Sequence, residues 1–272
     1  MNPRQTLGVI GCGKMAFALL AGLVKSDHGY KQVIAFDVDD SRTTLMAREL
    51  SVQPVQSNRE VVKQADVVLL AVKPNQVASV LDEIRDDFAE SKLVVSIAAG
   101  ITTQFIEARL KKNLPVLRVM PNTPCLVGEG AIAVSPGRFA TSEHLEVGSR
   151  MFAAVGKAVV VPESYLDAVT AVSGSGPAYV YLVAEAVTDA GVEIGLPRDL
   201  ARSLVIQTIR GSIAMLEATG EHPAVLREQV TSPGGTTIAG LRQLEENGLR
   251  GAFFKAIRRA YERSLEMGKA GS

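Results

Sequence analysis

Short runs of Val, Ile and Leu alternate with helix-period segments through the first half of this chain, and a glycine turn joins the first run to the first helix. The apolar runs are Leu7–Ile10, Val33–Phe36, Val67–Val72, Leu93–Ile97 and Val116–Val119. The helical patterns are Met15–Val24, Asp40–Leu50, Val77–Phe88 and Thr103–Leu110. Strands that are apolar at every position are buried on both faces, as in a parallel sheet. Alternation with crossover helices points to such a sheet, covered by helices on both sides. Asn58 is expected to cap a short helix ending near Ala65. Ala131–Val134 and Ala158–Val161 read as two further strands flanking a helix near Glu143–Phe152.

The pattern changes near Val161–Pro162. Beyond it, helices are expected at Tyr165–Val172, Ala178–Ala190, Arg198–Ala218, Ala224–Val230, Ile238–Glu246 and Gly251–Met267, with breakers at Gly191, Gly195-Leu196-Pro197, Gly220 and Pro233-Gly234-Gly235. Two domains follow: an α/β domain over residues 1–161 and an all-helical domain over 162–272. Several of the later helices, Ala178–Ala190 among them, are apolar on more than one face. Such helices need more cover than a small domain offers, so homo-oligomerisation through this half is expected.

Bulk properties exclude several classes. The 272 residues are 47% hydrophobic and 21% charged, with 29 basic and 29 acidic side chains, so no electrostatic footprint marks nucleic acid or an anionic membrane as a partner. The apolar run at Ala178–Ala184 stops at Glu185, well short of a membrane span. The N-terminal residues lack the apolar core of a secretory signal. Cys12 and Cys125 make neither a disulfide framework nor a metal cluster, and His28, His144 and His222 are scattered. No metal is expected, and the setting read from this is cytoplasmic.

Gly11-Cys12-Gly13-Lys14-Met15-Ala16 follows a strand and opens a helix, the context in which a glycine turn carries a dinucleotide. Gly11 permits the tight turn, Gly13 lets the backbone approach a pyrophosphate, and Ala16 allows close helix–strand packing. Asp37 ends the second strand, where an acid takes the ribose hydroxyls of NAD and repels the 2′-phosphate of NADP; Arg42 or Arg59 is placed to compensate, so either cofactor stays open. Ala71-Val72-Lys73-Pro74, Ala98-Ala99-Gly100 and Met120-Pro121-Asn122 follow later strands and are expected to rim the nicotinamide end of the cleft.

A second glycine loop, Thr231-Ser232-Pro233-Gly234-Gly235-Thr236-Thr237, stands more than 200 residues later. Its glycines free the backbone to approach a ligand, and the helical pattern after Thr236 aims unpaired N–H groups at an anion. A dinucleotide turn with a distant anion-holding loop reads as an oxidoreductase for a small carboxylate.

These motifs together resemble the pyrroline-5-carboxylate reductase family over nearly the whole length. The likeness rests on Gly11-x-Gly13-x-Met15-Ala16, Ala71–Pro74, Ser96–Gly100, Met120–Pro124, Leu166–Thr170, Ser173-Gly174-Ser175-Gly176-Pro177-Ala178-Tyr179, Asp189–Val192, Gly195–Arg198 and Ser232–Thr237. The resemblance implies reduction of the C=N bond of L-1-pyrroline-5-carboxylate to L-proline by NADPH or NADH. It also implies a Rossmann domain, and a helical domain that interlocks with a partner subunit in dimers, which in many members build decamers. By the same resemblance Ser232, Gly234, Gly235, Thr236 and Thr237 hold the substrate carboxylate, Thr237 donates to the ring nitrogen, and Asn58 and the Lys73 loop lie near the cofactor. Many members lack an acid at the end of the second strand, so Asp37 tilts this chain toward NAD.

The residues add a chemical argument. Hydroxy-acid dehydrogenases of related architecture use a lysine on a C-terminal helix as proton donor, yet no lysine occurs between Lys157 and Lys255. A cyclic imine can arrive protonated, so positioning suffices. Thr237 is the candidate to orient the nitrogen. Glu185 is a second candidate, to orient the substrate or the loop; the alternative is a helper or solvated carboxylate. Ser173 and Ser175 read as helix-entry residues and Cys125 as a small buried hydrophobe. The rival readings are a reductase of another cyclic imine carboxylate or a small keto acid, and a non-catalytic cofactor sensor.

Overall fold

The computed structural model describes residues 5–26, 30–110 and 112–270; His28 lies outside them. Eight strands form one sheet in the order β3-β2-β1-β4-β5-β6-β7-β8. They are β1 (Thr6–Ile10), β2 (Gln32–Phe36), β3 (Gln53–Pro54), β4 (Val67–Leu70), β5 (Leu93–Ser96), β6 (Val116–Met120), β7 (Gly130–Pro136) and β8 (Gly156–Val160). Between them run α1 (Lys14–Lys25), α2 (Asp40–Leu50), α3 (Asn58–Gln64), α4 (Pro74–Ile84), α5 (Thr103–Leu110) and α6 (Ser142–Ala153). All pairings are parallel except β6 with β7, where Met120 faces Ala133 antiparallel.

Both faces of the sheet are apolar, and the period of two sorts them. Leu7, Val9, Val67 and Leu69 pack on one face with Leu19, Leu23 and Phe152. Ile10, Val68, Leu70 and Val94 pack on the other with Val61, Leu81 and Ile106. Each fully buried Leu or Val contributes about 1.5–3 kcal/mol over its exposed state.

Most helices begin within two residues of the expected start, and two starts differ for a clear physical reason. The cap of α3 is Ser57, whose side chain accepts from the Glu60 N–H, while Asn58 is the first helical residue and is buried. Asn58 instead donates through Nδ2 to Glu83 at 2.8 Å. Helix α4 begins at Pro74, three residues before the apolar period starts at Val77, because proline suits the first helical position. A 3₁₀ turn at Thr123–Val127 and the two-residue β3 carry too few residues for a periodic signal.

No strand follows Val160 among the described residues. A 3₁₀ turn at Glu163–Tyr165 leads into α7 (Leu166–Val169) and a π-helical stretch, Thr170–Gly174, where a single helix was expected. Then come α8 (Gly176–Glu193), α9 (Arg198–Thr219), α10 (Pro223–Gln229), α11 (Thr236–Glu246) and α12 (Leu249–Ala270). The described chain divides into two compact units: one runs through Ser175 and takes back the chain from Ala260, and the other is Gly176–Arg259. In the first, Glu163 accepts from the Thr103 backbone N–H at 2.8 Å and from buried Arg118 at 3.2 Å, tying α5 and β6 to the segment after the sheet. In the second, α8 and α9 are joined through Gly195, with φ at +103°, and Arg198 meets Asp189 at 2.7 Å. No described helix is long and apolar enough to cross a membrane.

Candidate active site

The strand order reverses between β1 and β4, and the glycine turn lies at that point. The Gly11 N–H donates to the Phe36 carbonyl at 2.9 Å and the Ala71 N–H to the Ile10 carbonyl at 2.8 Å, so the loops after β1, β2 and β4 lie side by side. In open α/β sheets ligands bind beyond the carboxyl ends of strands at such a switch point. A cavity of about 430 Å³ opens there, with Gly11, Gly13, Asp37, Asn58, Ala71, Val72 and Lys73 in its wall. The wall also takes Asp39 and Arg42 from the start of α2 and Gln76, Ser79 and Glu83 from one face of α4. Those α4 residues were not singled out from the sequence; their spacing of three and four, on the face next to the Lys73 loop, is the signal that would have found them.

The two turn glycines answer different needs. Gly11 sits at φ +94°, and a Cβ there would stand 2.8 Å from the Ala71 carbonyl carbon, so the fold itself requires glycine. Gly13 caps α1 at φ −75° with no side-chain cap, and a Cβ there would meet no atom within 4 Å. Protein packing therefore does not explain Gly13. Close approach of a ligand to the uncapped N–H groups of α1 does, which is the fit a dinucleotide pyrophosphate asks for.

Asp37 is buried, and both its oxygens are held: Oδ2 accepts from the Cys12 N–H at 2.7 Å and Oδ1 from the Asp39 N–H at 2.9 Å. It anchors the glycine turn as well as lining the cavity. Burial, and then the Asp37 charge, push the Cys12 thiol up to about 12. Burial likewise raises Cys125, which sits in the core beside α1.

The loop at 231–237 belongs to the second unit. Gly234 lies at φ +66°, and Gly235 caps α11 at φ −80°, ψ 178° with no side-chain cap. Gly13 caps α1 in nearly the same backbone conformation, φ −75°, ψ 177°. By contrast α2, α3 and α10 are capped by the side chains of Asp39, Ser57 and His222. Helices α7 and α9 also start without a side-chain cap, but on Tyr165 and Pro197; α1 and α11, the two assigned to anions from sequence, start on glycine.

Comparison with known proteins agrees with this geometry. Residues 163–267 match the family described as pyrroline-5-carboxylate reductase dimerisation, and residues 6–100 match NADP oxidoreductase, coenzyme F420-dependent. The pyrroline-5-carboxylate reductase of Methanosarcina acetivorans is 43% identical over 97% of this chain and 98% of its own length, and that of Glycine max is 43% identical over 96% of each.

The chain belongs to the pyrroline-5-carboxylate reductase family.

Solved structures of the family superpose over nearly the whole chain. The reductase of Coxiella burnetii gives a TM-score of 0.90 at 34% identity, covering 97% of this chain and 98% of that one. The Plasmodium falciparum pyrroline carboxylate reductase with NADP bound gives 0.89 at 33%, covering 98% and 100%. Like its relatives, this reductase has an NAD(P)-binding domain, and the dimerisation match makes it a homo-oligomer.

Within the reductase, the other expected cofactor residues lie outside the cavity wall. Cys12 and Ala16 are buried in the core beneath the turn, Met15 is half-buried against it, and Lys14 is exposed at the start of α1. Pro74 opens α4. Ala98 is buried and Ala99 half-buried. Gly100 is explained by its backbone, at φ +77°, since a Cβ there would make only an ordinary contact, 3.4 Å from the Gly268 nitrogen of α12. Asn122 is buried and spends both ends of its amide on the protein, donating to the Ser173 carbonyl at 3.0 Å and accepting from the Ala131 N–H at 2.9 Å. The donor that helical spacing would assign to Ser173 belongs to Pro177, which has no N–H. Asn122 supplies it instead. Glu185 is exposed on α8 and makes no hydrogen bond or ion pair in the described chain. Thr237 is half-buried and Thr236 and Ser232 are exposed, and among the described residues their hydroxyls make no hydrogen bond. His144 bonds Thr141 at the start of α6, and among the described residues no cluster of His, Cys, Asp and Glu could hold a metal ion.

Proposed function

We infer that this chain reduces the C=N bond of L-1-pyrroline-5-carboxylate to give L-proline. The observation that carries the reading is the bare, glycine-capped start of α11, in a chain similar to reductases of this name over 97% of its length. The nicotinamide cofactor, NAD or NADP, supplies the hydride. The backbone N–H groups of Gly13 and of the first turn of α1 hold its pyrophosphate, since those of Gly11 and Cys12 are spent on Phe36 and Asp37. Lys73 and Asn58 line the same cleft, and Ala98, Ala99, Gly100 and Asn122 shape the loops beside it.

In this reading the first-turn N–H groups of α11, reached past Ser232, Gly234, Gly235 and Thr236, donate to the substrate carboxylate. The site needs no lysine: a ring nitrogen that arrives protonated loses its charge on hydride addition. The Thr237 hydroxyl orients that nitrogen. Glu185, exposed on α8, is kept as a helper that orients substrate or loop rather than as an acid. Assembly of dimers into a decamer belongs to the same reading, and light scattering of the purified protein checks it.

The test is isotopic. With pyrroline-5-carboxylate and a cofactor deuterated on its transferable position, the proline formed should carry one deuterium at the former imine carbon. Label-free proline, or turnover of small keto acids in preference to the imine, would overturn the assignment.

A further inference from the structure

The ribose end of the cavity holds a three-residue charge cluster. Asp39 caps α2 through Oδ1, which accepts from the Ser41 N–H at 3.1 Å and from its hydroxyl. Its other oxygen meets Arg42 Nε at 3.2 Å, and Arg42 also reaches the buried Asp37 at 3.6 Å. The guanidinium is thus shared by two carboxylates on the cavity wall. Arg59, the other arginine considered from sequence, pairs with Asp87 at 3.4 Å and is absent from that wall.

We propose that Asp39 and Arg42 together decide between the two cofactors, with NADH favoured. Two carboxylates and one guanidinium leave a net negative charge where a 2′-phosphate would sit. Such a phosphate must also take Arg42 from both of its partners, whereas a 2′-hydroxyl can donate to a carboxylate and disturbs neither pair. Asp37 is a poor probe of this choice. Its oxygens anchor Cys12 and Asp39, so replacing it strips the glycine turn of an acceptor and weakens both cofactors alike. Asp39 is half-exposed, and asparagine caps a helix as well as aspartate does. Asp39→Asn therefore removes one charge and leaves Arg42 with Asp37 as its one carboxylate partner on the wall, while keeping α2 capped.

The inference rests on the cofactor assignment above and is tested by binding as well as turnover. Titration calorimetry of the full-length protein with NAD+ and NADP+, and competition by AMP against 2′-phospho-AMP, isolate the ribose end. The wild type should bind NAD+ more tightly. In Asp39→Asn the NADP+ to NAD+ affinity ratio should rise by about tenfold, the scale of one partly screened charge, and adding Arg42→Ala should erase that gain. The ratio of kcat/KM for NADPH over NADH should move with it. Should asparagine disturb α2, Asp39→Ser supplies a second neutral cap. A ratio unchanged in both neutral variants, or a wild type that prefers NADP+, overturns the proposal while leaving the reductase reading intact. A folded wild type that binds neither cofactor sinks both.

Discussion

The two compact units of this chain treat apolar surface in opposite ways. Up to Ser175 the sheet and its helices bury Leu, Ile and Val on both faces, and Leu69 and Val94 are fully inaccessible. Over Gly176–Arg259 the only buried hydrophobic side chains are Ala201 and Val205. Tyr181, Leu182, Ile206 and Phe254 are each more than half exposed there. The first unit makes its own core; the second leaves most of its apolar side chains uncovered in the single chain. Exposed apolar side chains in this number fit an interface, consistent with the dimerisation match over 163–267.

The strongest way to break this comparison is to charge the exposed helical face. Leu182→Arg with Ile206→Arg should give a monomer in sedimentation velocity and at least a hundredfold loss of activity, since an unpaired charge at a buried interface costs several kcal/mol. A stable, active monomer would show that the second unit needs no partner.

Truncations sharpen the contrast. Leu69→Ala in β4 should cost about 2–5 kcal/mol by denaturant unfolding. Leu204→Ala, 51% exposed in the single chain, would stay within about 0.5 kcal/mol on a true surface. The account expects about 1–3 kcal/mol, because the partner buries that side chain.

The bare helix starts can be separated by chemistry. Thr237→Ala should lower kcat/KM for pyrroline-5-carboxylate by about 10–100-fold, or about 1.4–2.8 kcal/mol, with the cofactor Kd unchanged. Gly13→Ala should do the reverse, weakening cofactor with little change in stability, since its Cβ meets no atom within 4 Å. Wild-type turnover in Thr237→Ala would remove that hydroxyl from the mechanism.

The smallest effect concerns Cys12. A thiol raised from 9.0 to about 12 holds thiolate about a thousandfold scarcer than a free one. Iodoacetamide at pH 8 should label it only after unfolding. The linkage has a sign: the native state keeps a proton that the unfolded chain loses above pH 9, so this contribution to stability is lost as pH rises toward 12. Rapid labelling of the folded protein would contradict the burial.

Much of this was legible in the chain, and the omissions have physical reasons. The spans of α2 and α5 could be read to the residue, because a cap or a β-branched start precedes each apolar period. The antiparallel β6–β7 pairing could not be read, since alternation in a strand carries no direction. The π-helix at 170–174 shares its spacing with an ordinary helix until Pro177 removes a donor. The second job of Asp37, holding Cys12, and that of Asn122, holding Ser173, join residues 25 and 51 apart, a relation that no local pattern encodes. What the sequence did carry were the two glycine turns, because a bare helix start needs particular residues at fixed spacing.

The most direct test of the central claim follows absorbance at the reduced-nicotinamide band, with pyrroline-5-carboxylate and either NADH or NADPH. The account predicts rapid loss, faster with NADH, with one proline formed per cofactor oxidised. No loss with either, from folded protein that still binds cofactor, would mean that the loop at 231–237 holds a different acid and that imine reduction to proline is not this chain's reaction.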